Sequence, residues 1–451
     1  MMSGAYDLIV IGAGPGGHAV AEQAAGRGAR VAVIEKNQWG GTCTNKGCIP
    51  TKALLACSKQ YANLKKLKRL GISPGEISVD FAAMKRHQRQ MITTSSLGVQ
   101  KSLKDAGVDL KAGEGKIMAP REIEWITPQS DTHRLNADTI IIAWGSKPLL
   151  PPDIKPSGRI VTSDDVLAMD MLPESIVIVG GSVIGVEFAT FLAEMGVNVT
   201  LIELLNRIIP NEDEEAADFL RQELTRLGIA IHTSVSMETL RETSNGVHLQ
   251  ATHNTEPLAV DADYALICTG RKPLLYADEL DRCGIKYDQG GIIVNEKQMT
   301  NIEGIYAIGD VTGGIMLAHR AMQQGRATAS YLYGDRSITY KEDMVPSVIY
   351  THPGVARVGL TEKQAAERGL KVETRKVEYT ANIISRTELK GNGFVKAVFC
   401  EDRLIGVTIA GDGAGELIAS MTLAVANGMG KTELKKWIIP HPTLSEILNF
   451  I

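Results

Sequence analysis

Cys43 and Cys48 stand five residues apart in residues 40–52, GGTCTNKGCIPTK, with Gly47 just before the second cysteine and Pro50 just after it. On a regular α-helix, side chains at i and i+5 sit roughly 7.5 Å apart along the axis and about 140° apart around it. Their Cα atoms would then exceed the roughly 7 Å that a disulfide spans. Pairing therefore demands a bent backbone, and Gly47 and Pro50 both favour a bend. As a staple, so short a loop contributes only about 2 kcal/mol, against about 4.7 for a 100-residue loop. Redox chemistry is the better use for such a pair, provided an electron source lies nearby. The far end of the chain holds His441 between Pro440 and Pro442, with Glu446 five residues on. The prolines restrict the backbone around the ring, and a carboxylate there can orient an imidazole acting as acid and base. Thr443-Leu444-Ser445-Glu446 also fits the capping box that starts a helix.

A candidate site for that electron source, a dinucleotide-binding unit, opens the chain. Residues 8–11 form an apolar strand that runs into Gly12, Gly14 and Gly17, followed by an Ala-rich helix, Gly28 and a second strand ending at Glu35. Gly12 permits a tight turn, Gly14 lets a pyrophosphate approach the backbone, and Gly17 lets helix and strand pack closely. The helix N-terminus faces the phosphates, and Glu35 can accept from ribose hydroxyls. The same unit recurs at a constant offset of 168 residues, with Gly12 matched by Gly180, Gly17 by Gly185, Gly28 by Gly196 and Glu35 by Glu203. A gapless repeat implies a second dinucleotide-binding unit. Its middle glycine is Ser182, which either weakens phosphate binding or donates its hydroxyl to it. Glu203 repels a 2′-phosphate and so favours NAD over NADP.

Bulk composition sets the limits. A chain of 451 residues holds two to four domains, and a net charge of −4 speaks against nucleic-acid or membrane-surface binding. The basic run Lys65, Lys66, Lys68, Arg69 reads as a solvated helix face. Six cysteines do not make a disulfide framework in a chain this long. Cys57, Cys268, Cys283 and Cys400 read as reduced, mostly buried thiols. No signal peptide or membrane-spanning run is evident, so a cytoplasmic location is expected. No metal site is assigned.

The remaining elements must position these groups. Residues 51–69 and 79–106 read as two long helices forming an antiparallel pair on the first domain, broken by Gly71, Pro74 and Gly75. Residues 123–126 and 139–143 read as strands in a less regular stretch, and 147–175 as a proline-rich connection. The second unit ends in a strand at 264–268. Another strand precedes Gly309-Asp310, and a helix starts near Ala318; Asp310 is either a ligand for sugar hydroxyls or an N-cap. From about residue 337 the pattern becomes a separate α+β domain, with strands at 371–379, 393–399 and 404–409 and helices at 361–368 and 414–427.

GGTCTNKGCIPTK, the doubled glycine unit, GIYAIGD and HPTLSE, in this order, resemble the flavoprotein disulfide reductases (pyridine nucleotide-disulfide oxidoreductases) along essentially the whole chain. The likeness is strongest to the branch that oxidises dihydrolipoamide. It implies an α/β fold: two Rossmann-like dinucleotide-binding domains plus a C-terminal α+β dimerisation domain. The implied boundaries are FAD-binding at 1–147, NAD-binding at 148–268, a second FAD-binding part at 269–336 and dimerisation at 337–451. FAD would be held by Gly12, Gly14, Gly17, Glu35, Gly41, Thr42, Gly145, Asp310, Ala318 and Lys52. NAD would be held by Gly180, Gly181, Gly185, Glu203 and Gly270. Glu187, counted with the NAD unit, matches a residue that pairs with Lys52 beside the flavin N5. Cys43 would meet the substrate dithiol and Cys48 the flavin, while His441, oriented by Glu446 and supplied by the opposite subunit of a homodimer, serves as base. The implied partner is the lipoyl-bearing protein of a 2-oxo acid dehydrogenase or glycine cleavage system, and Lys46 reads as surface charge or as a docking contact for it. Glutathione or mercuric reductase-like activity is the alternative. Trp144, Gly354 and Thr408 depart from the family's usual threonine, glutamate and histidine.

Overall fold

The computed structural model describes residues 6–64, 66–334 and 336–451, which fall into two compact units. Lys65, part of the basic run, lies outside them; Lys66, Lys68 and Arg69 are exposed, around a 3-10 turn (Leu67–Leu70) rather than along a helix. Among the described residues, no helix is long and apolar enough to cross a membrane.

One unit comprises residues up to Ala53, then Ala83–Leu149 and Arg271–Tyr340. Its core sheet places the strand Tyr6–Ile11 between the parallel strands Val31–Glu35 and Thr132–Ile142. Leu8, Ile9 and Val10 are wholly buried, as a central parallel strand covered on both faces requires. The strands expected at 123–126 and 139–143 appear as Glu122–Ile126 and as an eleven-residue strand, Thr132–Ile142, which starts seven residues earlier than expected. Its first half pairs antiparallel with Glu122–Ile126 and its second half parallel with Tyr6–Ile11 and Ile305–Ala307. The helices Pro15–Ala25 and Ala318–Tyr333 cross closely, for a Cβ on Gly325 would stand 2.7 Å from the Gly16 carbonyl.

The other unit comprises Leu54–Ala82, Leu150–Gly270 and Lys341–Ile451. The expected helix at 51–69 runs from Cys48 to Leu64, and the one at 79–106 from Phe81 to Asp105. They do not both belong to the first unit, because residues from Leu54 to Ala82 group with the second. A five-stranded parallel sheet is built around Ser175–Val179, between Asn198–Ile202 and Tyr264–Ile267. The proline-rich connection contributes its edge strand, Ile160–Thr162, and a short helix, Ser163–Ala168. An antiparallel meander (Val235–Glu242, Val247–His253, Glu256–Ala262) was not foreseen, since its alternating pattern is diluted by Glu, Gln and Thr on the open face. The C-terminal part forms an antiparallel sheet of Ser347–Ile349, Gly354–Gly359, Arg403–Gly411, Gly393–Cys400 and Val372–Glu378, in that spatial order. The helix Ala414–Ala426 packs on it through Leu417, Ile418 and Met421. Gly354 closes tightly on its turn: a Cβ there would lie 3.0 Å from the Ile349 carbonyl. Thr408 is buried between its register partners Arg357 and Lys396.

Lys396 is 6% exposed and reaches Asp213 at 3.0 Å, Glu215 at 2.8 Å and Glu362 at 3.4 Å. Asp213 is itself buried and caps the helix Glu214–Arg226. Burial pulls the Lys396 ammonium down, but the Glu215 and Asp213 carboxylates outweigh it and hold it above the ordinary lysine range. A raised folded value means that this stabilisation is complete below the unfolded lysine pKa and is lost only as pH rises through the folded one. Replacing Lys396 by Met leaves the buried Asp213 charge unpaired and is expected to cost about 3–5 kcal/mol, read as a lower denaturant midpoint at pH 7.

Candidate active site

The cysteine segment folds as two helices, Gly41–Lys46 and Cys48–Leu64, broken at Gly47 (φ −146°, ψ −106°). The break brings the Cys43 and Cys48 Cα atoms to 4.7 Å, and the two are joined as a disulfide. Gly47 alone makes the bend. Pro50 sits in the first turn of the second helix, where a missing N–H costs nothing. Both cysteines are half-buried, and Thr42 beside them is exposed. Lys46 ends the first helix, exposed, where a cation suits the helix C-terminus. Lys52 lies one turn beyond Cys48, on the same face of the helix. The remaining cysteines are free thiols, Cys268 and Cys283 buried and Cys57 and Cys400 half-buried. Burial pushes the Cys57, Cys268 and Cys283 thiols up, away from the nucleophilic thiolate.

The disulfide segment hangs from the first glycine loop. The Gly40 N–H donates to the Ala13 carbonyl at 3.1 Å, and a Cβ on Gly41 would stand 2.7 Å from Gly14 Cα. Gly12 (φ +111°) faces the Ala143 carbonyl, which a Cβ would meet at 2.3 Å, and a Cβ on Gly17 would lie 1.9 Å from the Gly12 carbonyl. Gly14 differs, with no atom within 4 Å of its Cβ position: the loop is open where a phosphate would arrive. Glu35 accepts from Ala13 N–H and Asn37 N–H, each at 2.8 Å, one on each carboxylate oxygen. Each oxygen keeps a lone pair for a sugar hydroxyl.

The second loop repeats this construction. A Cβ on Gly180 would meet the Cys268 carbonyl at 2.4 Å, one on Gly185 the Gly180 carbonyl at 1.9 Å, and one on Gly181 the Ile208 side chain at 2.8 Å. Glu203 accepts from Gly181 N–H at 2.6 Å and Leu205 N–H at 2.8 Å. Ser182 (φ −74°, ψ −179°) copies the backbone of Gly14 (φ −66°, ψ −179°), so this position does not require glycine. Its hydroxyl donates to the Cys268 carbonyl at 3.1 Å and is turned back onto the protein. Glu187, buried on the following helix, accepts from the Tyr350 N–H at 3.0 Å. Gly270 (φ +119°) has open space around it, as does Gly145 (φ +77°) at the matching exit turn of the first unit.

Asp310 is not an N-cap. It lies inside a 3-10 turn (Gly309–Thr312) capped by Ile308, while Leu317 caps the helix that Ala318 begins. Its carboxylate accepts from Ser146 Oγ at 2.6 Å, and Ser146 Oγ in turn accepts from Arg271 Nε at 2.8 Å. Ser146 and Arg271 escaped sequence reasoning because only the fold brings them to Asp310.

His441 Nδ1 lies 2.8 Å from Glu446 Oε1, and Glu446 Oε2 accepts from the Thr443 N–H at 2.9 Å. The capping box and the imidazole support are thus one carboxylate, with an oxygen for each. Nδ1 is directed at Glu446, which leaves Nε2 as the outward nitrogen on a side chain that is 75% exposed. The Thr443 N–H and then His441 hold the Glu446 carboxyl below the ordinary glutamate range. Its contribution is present above the unfolded glutamate pKa and is lost as pH falls through the folded value. His352, also followed by proline, makes a comparable pair with buried Glu194 at 2.8 Å, to which Ser58 donates as well. The second His-Pro pair was the signal that could have found it.

Residues 6–325 match a family described as pyridine nucleotide-disulphide oxidoreductase, and residues 345–449 match that family's dimerisation domain. A dihydrolipoyl dehydrogenase of Chlorobaculum tepidum is 34% identical over 448 residues, spanning 98% of this chain and 96% of the relative. One from Bacillus subtilis is 34% identical over 461 residues, spanning 99% and 97%. Among solved structures, LpdA from Mycobacterium tuberculosis superposes with a TM-score of 0.91 at 26% identity, covering 98% of both chains. The HOCl-induced flavoprotein disulfide reductase RclA from Escherichia coli does so with 0.85 at 27% identity, again over 98% of both.

The glycine geometry separates folding from ligand contact. Gly14→Ala is expected to shift the melting temperature of the ligand-free protein by no more than a few degrees, since its methyl enters open space. Gly17→Ala drives a methyl into the Gly12 carbonyl and should unfold that unit at markedly lower temperature, as calorimetry would show.

Proposed function

We propose that this chain, which belongs to the pyridine nucleotide-disulphide oxidoreductase family, oxidises a dihydrolipoyl dithiol through Cys43–Cys48, with FAD as intermediate carrier and NAD+ as final acceptor. The observation that carries this is the disulfide segment suspended from the first glycine loop by the Gly40–Ala13 hydrogen bond. That arrangement sets a thiol–disulfide centre beside a dinucleotide cradle. Names of the relatives supply the dithiol class.

The open face at Gly14, the left-handed turns at Gly12, Gly41 and Gly145, and the Glu35 and Asp310 carboxylates fit FAD, with Thr42, Lys52 and Ala318 around it. Gly180, Gly181, Gly185, Glu187, Glu203 and Gly270 fit the nicotinamide dinucleotide, and the Glu203 charge favours NAD. When bound, FAD accepts two electrons and NAD+ takes them onward as hydride.

The protein's own groups do the thiol chemistry. His441 Nε2 takes a proton from one substrate thiol, and the thiolate attacks Cys43 Sγ. The Cys43–Cys48 bond breaks, Cys48 leaves as thiolate, and a mixed disulfide joins Cys43 to the substrate. The second substrate thiol closes on the first sulfur, releasing the cyclic disulfide and leaving Cys43 protonated. One proton rests on His441 and one on Cys43, and the electron pair rests on the cysteines. Glu446 holds the imidazole tautomer that this needs. The dimerisation-domain match supports a homodimer in which the His441–Glu446 pair of one subunit serves the disulfide of the other. The four free cysteines fit a reducing compartment such as the cytoplasm. The likeness to RclA favours a second reading, in which the same centre runs toward reduction of another acceptor, a disulfide as in glutathione reductase-like enzymes or Hg(II) as in mercuric reductase-like ones.

Anaerobic addition of NADH should produce a long-wavelength thiolate–flavin charge-transfer band; fully flavinated protein without that band refutes the disulfide route. Cys43→Ser and Cys48→Ser should each abolish lipoamide turnover with the flavin retained. Assays of NADH against NADPH with lipoamide, glutathione disulfide and Hg(II) decide between the two readings. Glu446→Gln should lower kcat on the order of 100-fold while the charge-transfer band still forms with NADH.

A further inference from the structure

Trp144 sits between Ala143, whose carbonyl closes on Gly12, and Gly145, whose φ is +77°. Its half-buried indole meets the Tyr276 ring edge-on, with centroids 4.8 Å apart and planes at 82°. Tyr276 accepts a hydrogen bond from Lys36, whose ammonium also lies 4.6 Å from the Tyr276 ring centroid and 3.7 Å from Glu114. Lys36 directly follows Glu35. The strands ending at Glu35 and Ile142 flank Tyr6–Ile11 on its two sides. Trp144, Tyr276 and Lys36 therefore bridge the ends of the flanking strands, past the end of the strand that carries Gly12. In a parallel α/β sheet, the crevice outside the carboxyl ends of the strands is where a dinucleotide lies.

We propose that this bridge walls the adenosine end of the FAD site, and that Trp144 is a positioning residue that retards release of the cofactor. The inference rests on the assignment of FAD to the first glycine unit. Glu35, whose carboxylate would bind a ribose, and Lys36, which anchors the bridge, are consecutive at the same strand end. An indole supplies a large rigid apolar face at little conformational cost, and contact of a bound base with such a face slows its release. Tyr276, which meets the indole edge-on, is itself held by Lys36.

The test is the rate of FAD release from full-length holoprotein, followed by the rise of free-flavin fluorescence on dilution. Trp144→Thr should release FAD about tenfold faster or more, with an unchanged far-UV spectrum, and Trp144→Phe should restore most of the retention. Release from Trp144→Thr at the wild-type rate, with wild type holding FAD, overturns the wall alone. Wild type that neither contains nor takes up FAD overturns the cofactor assignment and the wall with it. Should Trp144→Thr fail to fold, tryptophan emission decides: flavin removal should raise it more in wild type than in Trp144→Phe, and an equal rise overturns the proposal.

Discussion

Each dinucleotide unit depends on one contact: a glutamate at the end of the second strand reaching back to an amide of the glycine loop. Glu35 holds Ala13 and Glu203 holds Gly181, each with its other oxygen on an amide two residues further along. Both carboxylates are more than nine-tenths buried, so each must be fully hydrogen-bonded to be tolerated. The loop can then tighten until Gly17 and Gly185 leave no room for a methyl. With the loop fixed, the Ala13 carbonyl is aimed at Gly40, and the cysteine segment inherits its position. The acid proposed for ribose recognition is thus also a structural clamp, and the lone pairs left over are the ones a sugar hydroxyl would use.

The disulfide and the imidazole follow the same economy of parts. Gly47 ends one helix and its carbonyl accepts the first hydrogen bond of the next, from Thr51, so one residue both bends the chain and starts a helix. Glu446 caps its own turn with one oxygen and supports His441 with the other. Asp310 is kept in place by Ser146, which Arg271 in turn holds. The proposed functional groups are thus fixed by a helix break, by a carboxylate that also caps its own turn, and by a partner distant in sequence.

Much of this was legible in the chain. The repeat with its offset of 168 residues carried both glycine loops, because the conformational demands on Gly12, Gly17, Gly180 and Gly185 leave glycine no substitute. The cysteine spacing with Gly47 foretold the bend, although Pro50 has no part in it. What stayed hidden depended on tertiary proximity or on diluted patterns. The Ser182 hydroxyl could have faced a phosphate or the protein, and only the Cys268 carbonyl nearby decides for the protein. The apolar second half of Thr132–Ile142 reads as a strand, but its first half is mostly exposed and polar and gives no such signal. Asp310 looked like a cap because sequence shows a helix following it but not the short turn between them.

That same strand also governs the order in which the chain can be assembled. Ile140 pairs with Ile305 across 165 residues, and the first unit is gathered from three separate stretches. On the ribosome, the apolar edge of Thr132–Ile142 emerges long before Ile305–Ala307 exists to cover it. The intervening residues 150–270 contain a five-stranded parallel sheet and its meander with no strand missing, so they can condense first. Translation speed and chaperone cover over that interval then bear on yield, because an uncovered β edge recruits other chains.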